Sequence, residues 1–210
     1  MTSPPQPAVC GSRQILDPEQ LSNPEWQRRA ARNEVVGPWA ELGLAEDAIE
    51  RLLHATVGEL GASPSLAVEH AEFTHYGSGY ASFVDVMITR QEGSQRTHRP
   101  NGYVTTHGLT LLLCRLAPIA APATDAEHGR GPSGNAHRSV PNSASLAPLP
   151  VPDWEQESHA ITAVLDRFGI VLLNPGVLRR PAHPDISVDT DLSGPGKGFD
   201  LFDVWFHWTD

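Results

Sequence analysis

Six aspartates stand between Asp185 and Asp210, with one lysine, Lys197, and the aromatics Phe199, Phe202, Trp205, Phe206 and Trp208 among them. Carboxylates at that density can hold a cation, move protons or present a charged edge to a partner. Asp189, Asp191 and Ser193 occupy alternate oxygen positions, Gly194 follows them, and Asp200 falls at the twelfth place, as in a calcium loop. The flanks read as strands instead of helices, the twelfth residue is Asp where Glu is usual, and Gly196 replaces the usual apolar eighth residue. A hairpin with solvent-facing aspartates fits better. The run from Gly194 to Gly198 has the glycines and lysine of a phosphate loop, but lacks the long glycine frame and the Ser or Thr after the lysine.

The ten histidines raise the question of a metal. Their best grouping is His183 and Asp185 with His207, the set a metal-assisted hydrolase would need, and this is the alternative reading of the chain. There is no HExxH motif and no GxSxG elbow. Cys114 lies in an apolar run, where a thiol is inert, and Cys10 lies in a Pro-rich start. Glu69 and Glu72 with His70 and His75 have acid–base types, but the two imidazoles face opposite sides of a strand unless a bulge intervenes. Lysine chemistry would have to use Lys197. No catalytic residue, metal or cofactor is assigned on these grounds.

The formal charge of −10 repels phosphate backbones, so nucleic acid is not the expected ligand. Arg28, Arg29 and Arg32 are the one basic cluster and read as a solvated helix face. The start has neither the basic region nor the apolar core of a secretory signal, and the apolar run 109–117 is too short to span a bilayer. With two cysteines in no framework, a reduced, cytoplasmic setting of bacterial type is expected.

The elements that must carry these residues read as α+β, a mainly antiparallel sheet with two or three helices on one side. Residues 1–16 read as a disordered tail, 17–117 as a first α+β half, 118–152 as a Pro/Ala/Ser-rich linker or disordered insertion, and 153–210 as a second half packed with the first. Asn23 and Pro24 open a short helix anchored by Trp26. Ile49, Leu52, Leu53, Val57 and Leu60 make the stripe of a helix over 45–60. Strands are expected over 66–75, 80–90 and 103–117, with a bulge at Gly108 and a central strand over 109–114. Asp153 and Gln156 suit a capping box, and Trp154, Ile161, Val164, Leu165 and Phe168 a buried stripe ended by Gly169. A short strand over 170–173 and a terminal hairpin of 186–192 with 199–208 complete a possible second helix-plus-three-strand unit. The apolar phase of the last strand slips between Leu201 and Phe202, which predicts a bulge.

The expectation from these readings is a non-catalytic acidic protein of immunity type. It would bind a basic protein partner such as a toxin through Asp189, Asp191, Asp200, Asp203 and Trp205. No nucleic acid or membrane partner is expected, and a homo-oligomer is compatible with the composition.

Overall fold

The computed structural model describes residues 16–77, 79–93, 95–131, 136–138, 141–149, 153–192 and 198–210. Cys10, Lys197 and most of the glycine-rich run 194–198 therefore lie outside the described residues, as does nearly all of the expected N-terminal tail.

A side-chain cap starts the first α-helix. The Asn23 side chain accepts from the N–H groups of Glu25 and Trp26, Pro24 takes the first turn, and α1 runs Pro24–Ala30. A one-turn helix, α2, follows at Gly37–Glu41, with Pro38 in its first turn. The long amphipathic helix α3 spans Glu46–Ala62, with Glu46 and Asp47 in its first turn where the macrodipole favours anions. It buries Ile49, Leu53 and Leu60.

The strands β1 (Leu66–Glu72), β2 (Tyr80–Ala81), β3 (Phe83–Arg90), β4 (Arg96–His98) and β5 (Val104–Cys114) come next. They are followed by β6 (Ile119–Arg130) and β7 (Ala136–Arg138). The main sheet has the order β1-β3-β5-β6-β7, and β4 pairs with the first residues of β5. Its ladders are antiparallel apart from one. After α4 (Glu155–Phe168), the two-residue β8 (Val171–Leu172) joins β6 in parallel. As expected, β5 is central and buried from Leu109 to Cys114. Its register slips between Gly108 and Thr110, the bulge that the glycine announced. A Cβ at Gly108 would stand 2.5 Å from the carbonyl oxygen of Ile88, which explains why glycine is there.

The stretch 118–152 is not a linker throughout. Its first part is β6, paired to β5 from Val104↔Arg130 to Leu113↔Ala120. Pro122 sits inside that strand at no cost to the ladder. Its carbonyl accepts from Ala147 on the outer side, so the N–H that proline lacks would also have faced outward, away from β5. The expected repeat of helix plus three strands does not follow α4 either. Besides β8, the described chain there forms α5 (Pro175–Leu178), α6 (Leu201–Trp205) and β9 (Trp208–Thr209). β9 pairs with β2 instead of closing a terminal hairpin.

Both faces of the sheet are covered. On one, Val84, Val86, Ile88, Leu109, Leu111 and Leu113 meet Ile49, Leu53 and Leu60 of α3 and Ile161, Val164 and Leu165 of α4. On the other, Phe83, Leu112, Cys114 and Ala121 meet Leu21, Ala30, Leu178 and the terminal aromatics. Asp153 does not cap α4: it takes a positive φ of 65°, and Trp154 stands at the N-cap without a side-chain bond. Gly169 ends α4 in the left-handed conformation, as its position implies. Among the described residues no helix is long and apolar enough to cross a membrane.

Candidate functional site

The terminal acidic–aromatic segment divides into a buried half and an exposed half. Asp200 is the N-cap of α6. Its Oδ1 accepts from the Asp203 N–H at 3.1 Å, and Asp203 Oδ2 accepts from the Asp200 N–H at 2.9 Å. This reciprocal capping box turns the chain into a helix where a strand was expected. The phase slip at Leu201 and Phe202 is the helical period of the apolar residues 201, 202, 204, 205 and 206, all of them buried. Trp205 is 0% exposed and packs in the core, and Asp203 is 8% exposed. Neither presents a surface to a partner, which corrects the expectation for both. Asp200 is half-buried. Burial and the adjacent Asp203 carboxyl push its carboxyl above the usual range, against the hydrogen bond from the Asp203 N–H.

Asp189 and Asp191 are exposed. The Asp191 N–H donates to the Trp208 carbonyl at 2.8 Å, and the Asp210 N–H donates to Asp191 Oδ2 at 2.9 Å. The segment 189–191 thus lies along the last residues of the chain and makes, with exposed Asp210, a rim of three carboxylates. Trp208 beneath it packs on Tyr76 with ring centroids 5.2 Å apart. The calcium-type spacing is not realised as one loop of ligands: Asp200 is spent on capping α6, and Ser193 and Gly194 lie outside the described residues.

His183, Asp185 and His207 do not form a metal centre. His183 Nδ1 is 3.3 Å from Asp185 Oδ1, and Arg28 holds Asp185 Oδ2 at 3.1 Å. His207 is buried, with Nδ1 3.0 Å from the Val204 carbonyl and Nε2 2.6 Å from Asn33 Oδ1. Burial holds its imidazole below the usual range. Among the described residues no group of three or more His, Cys, Asp or Glu side chains could hold a metal ion. Cys114 is likewise buried, its thiol pushed up to about 12 by desolvation and donating to the Trp205 carbonyl. The basic cluster is paired on its own surface: Arg28 with Asp185, and Arg29 and Arg32 with Glu34.

A second concentration of polar side chains was legible only in part: the sequence offered Glu69, His70 and Glu72 as acid–base types, but not the residues that join them. β1 carries a bulge between Val68 and His70, which turns Glu69, His70 and Glu72 toward one side of the sheet. Glu69 accepts from Thr89 Oγ1 at 2.8 Å and ion-pairs with Arg96 at 2.7 Å. His70 Nε2 is 3.6 Å from Glu72 Oε2, and its ring lies 5.8 Å from that of His128, edge to face. Burial raises the Glu72 carboxyl, but hydrogen bonds from Thr74 and the Tyr76 N–H outweigh it and hold it below the usual range. Tyr76 Oη donates to buried Asp85 at 3.0 Å. His75 does not join this face, because its Nδ1 accepts from the Ala81 N–H. The missed signal was the alternation of Arg96 with His98 and of His128 with Arg130, the second pair hidden because 118–152 reads as a linker.

Arg115 organises the opposite end of the sheet. It is 5% exposed, donates to the carbonyls of Ala81, Phe83 and Phe73, and meets Glu50 at 3.2 Å. All its contacts close the β2–β3 corner onto α3, a structural task. Leu42 is the one exposed large hydrophobic side chain among the described residues. No family model, curated protein or solved structure matches the chain.

Proposed function

We propose that the protein is a non-catalytic binding protein that captures a basic protein partner through the rim of Asp189, Asp191 and Asp210. The observation that carries this reading is the tethering of exposed carboxylates to the terminal strand: Asp191 is bonded at both its N–H and its side chain, to Trp208 and Asp210. Charges held in place before docking lose less conformational entropy on binding than charges on a free loop. The net charge of −10 adds long-range attraction for a cationic partner and repels anionic competitors. A basic toxin, neutralised in the manner of an immunity protein, is the partner class that suits such a surface. A cationic nuclease in particular has its own phosphate-binding groove for the acids to cover.

Capture from lysate of the native host on the immobilised full chain, read by mass spectrometry, tests the proposal. The expected result is enrichment of a basic protein that the Asp189→Asn, Asp191→Asn double variant and added salt both abolish. Capture that survives both treatments removes the acidic rim from the interface.

A further inference from the structure

The sheet continues past its covered region as an extension built from β4, the start of β5 and the end of β6. There the register places Arg96 opposite Thr106 and Thr106 opposite His128, and places His98 opposite Val104 and Val104 opposite Arg130. Alternate residues of a strand share a face, so these two cross-strand rows point to the same side. With Glu69 they line a groove of about 350 Å³. That size falls in the range of small-molecule sites.

The charge in this groove is unbalanced. Both oxygens of Glu69 take Arg96 through Nη2 alone, each at 2.7 Å. The other donors of Arg96, the whole Arg130 guanidinium and the His98 ring meet no acceptor among the described residues. Among the described residues, two guanidinium groups thus face one carboxylate, a local reversal of sign on a chain of net charge −10. The donors also come from different directions, since β4 and β6 are separated by β5 and stand roughly 10 Å apart. A planar carboxylate offers its oxygens in one plane, whereas a tetrahedral phosphate offers them to several donors at once.

We propose that this groove binds a small phosphate-bearing ligand, with the phosphate seated between Arg130, His98 and the unpaired edge of Arg96. The site shares no residue with the acidic rim and stands or falls without it.

The test is a titration of the isotope-labelled full chain with inorganic phosphate at constant ionic strength, following the His98 and His128 ring signals by NMR. Sodium acetate and sodium chloride serve as comparison salts. The proposal predicts a saturable shift with phosphate, a weaker response to acetate and none to chloride. Arg130→Gln should weaken phosphate binding about tenfold to a hundredfold, the loss of a charge-assisted hydrogen bond. Arg130→Lys, which keeps the charge without the fork, should lie between. Since Arg130 is exposed, an unchanged melting temperature will separate lost binding from lost folding. Adenosine monophosphate and glycerol phosphate identify the source of the phosphate, and tighter binding of either ester than of inorganic phosphate supports the site. A shift that never saturates, an equal response in Arg130→Gln, or acetate binding as tightly as phosphate overturns it.

Discussion

What a carboxylate does in this protein depends on what holds it. Asp189 and Asp191 face solvent, while Asp200 and Asp203, close by in sequence, are consumed in starting a helix. Asp200 is held above its usual range by burial and by Asp203, so at neutral pH its charge works against the fold. Its contribution to stability is present below the unfolded value, near pH 4, and is lost as pH rises through the folded one. Asparagine caps a helix as well as aspartate does and carries no charge. Asp200→Asn is therefore expected to keep the stability at pH 7 or raise it by up to about 0.5 kcal/mol, read by urea denaturation. A loss of more than about 1 kcal/mol would contradict the assignment. His207 and His75 have the opposite linkage. Burial lowers both imidazoles, and Arg115 adds to the effect at His75. Their contribution is complete above the unfolded value of about 6.5 and is lost as pH falls from there toward the lower folded values. The melting temperature should accordingly fall between about pH 7.5 and pH 5.5, with a shallower slope in His207→Gln. A flat profile, or equal slopes in the two proteins, would show that His207 is not buried in its neutral form.

At the scale of elements, the sheet depends on close approaches between strands. A side chain at Gly108 must displace the Ile88 carbonyl, which belongs to the backbone of β3 and cannot swing aside. Gly108→Ala should lower stability by about 1–3 kcal/mol, seen as a lower urea midpoint at unchanged slope. An unchanged midpoint would mean that the β5 bulge relaxes freely. The elements legible in the sequence are those whose signal is local and repeated: the stripe of α3, the apolar run of β5, and Gly108 and Gly169 at positions where a side chain is costly. The misread ones are set by longer-range facts. β6 contains Pro122, a poor strand residue unless its missing N–H faces outward, and only the pairing with β5 and residues 145–147 reveals that it does. Over five residues, α6 offers too few turns to separate a helical period from a bulged strand, and its capping box uses Asp where Glu or Gln is usual. The exposed acids of the candidate site were legible as acids. Which of them face solvent was not, because the α6 cap decides it.

For the whole molecule, the two sheet faces have different fates. The face under α3 and α4 is apolar and closed. The other is closed by the terminal aromatics over Phe83 and Leu112, and further along it carries the polar row that ends in Arg130. The C-terminal aromatics thus help complete the core beside the acids: partly buried Trp208 packs on Tyr76, and its carbonyl accepts the Asp191 N–H. Core and rim are coupled, so in the proposed function the aromatics act through the carboxylates beside them. Asp189→Asn with Asp191→Asn should leave the fold intact, because both side chains are exposed, and should act on binding alone. The most direct test is quantitative capture from native-host lysate by the wild-type chain and by this double variant, each at low and high salt. One basic protein should be enriched at least about tenfold by the wild type at low salt and lost in the other three arms. No basic protein enriched by the wild type, or one enriched equally in all four arms, would contradict it.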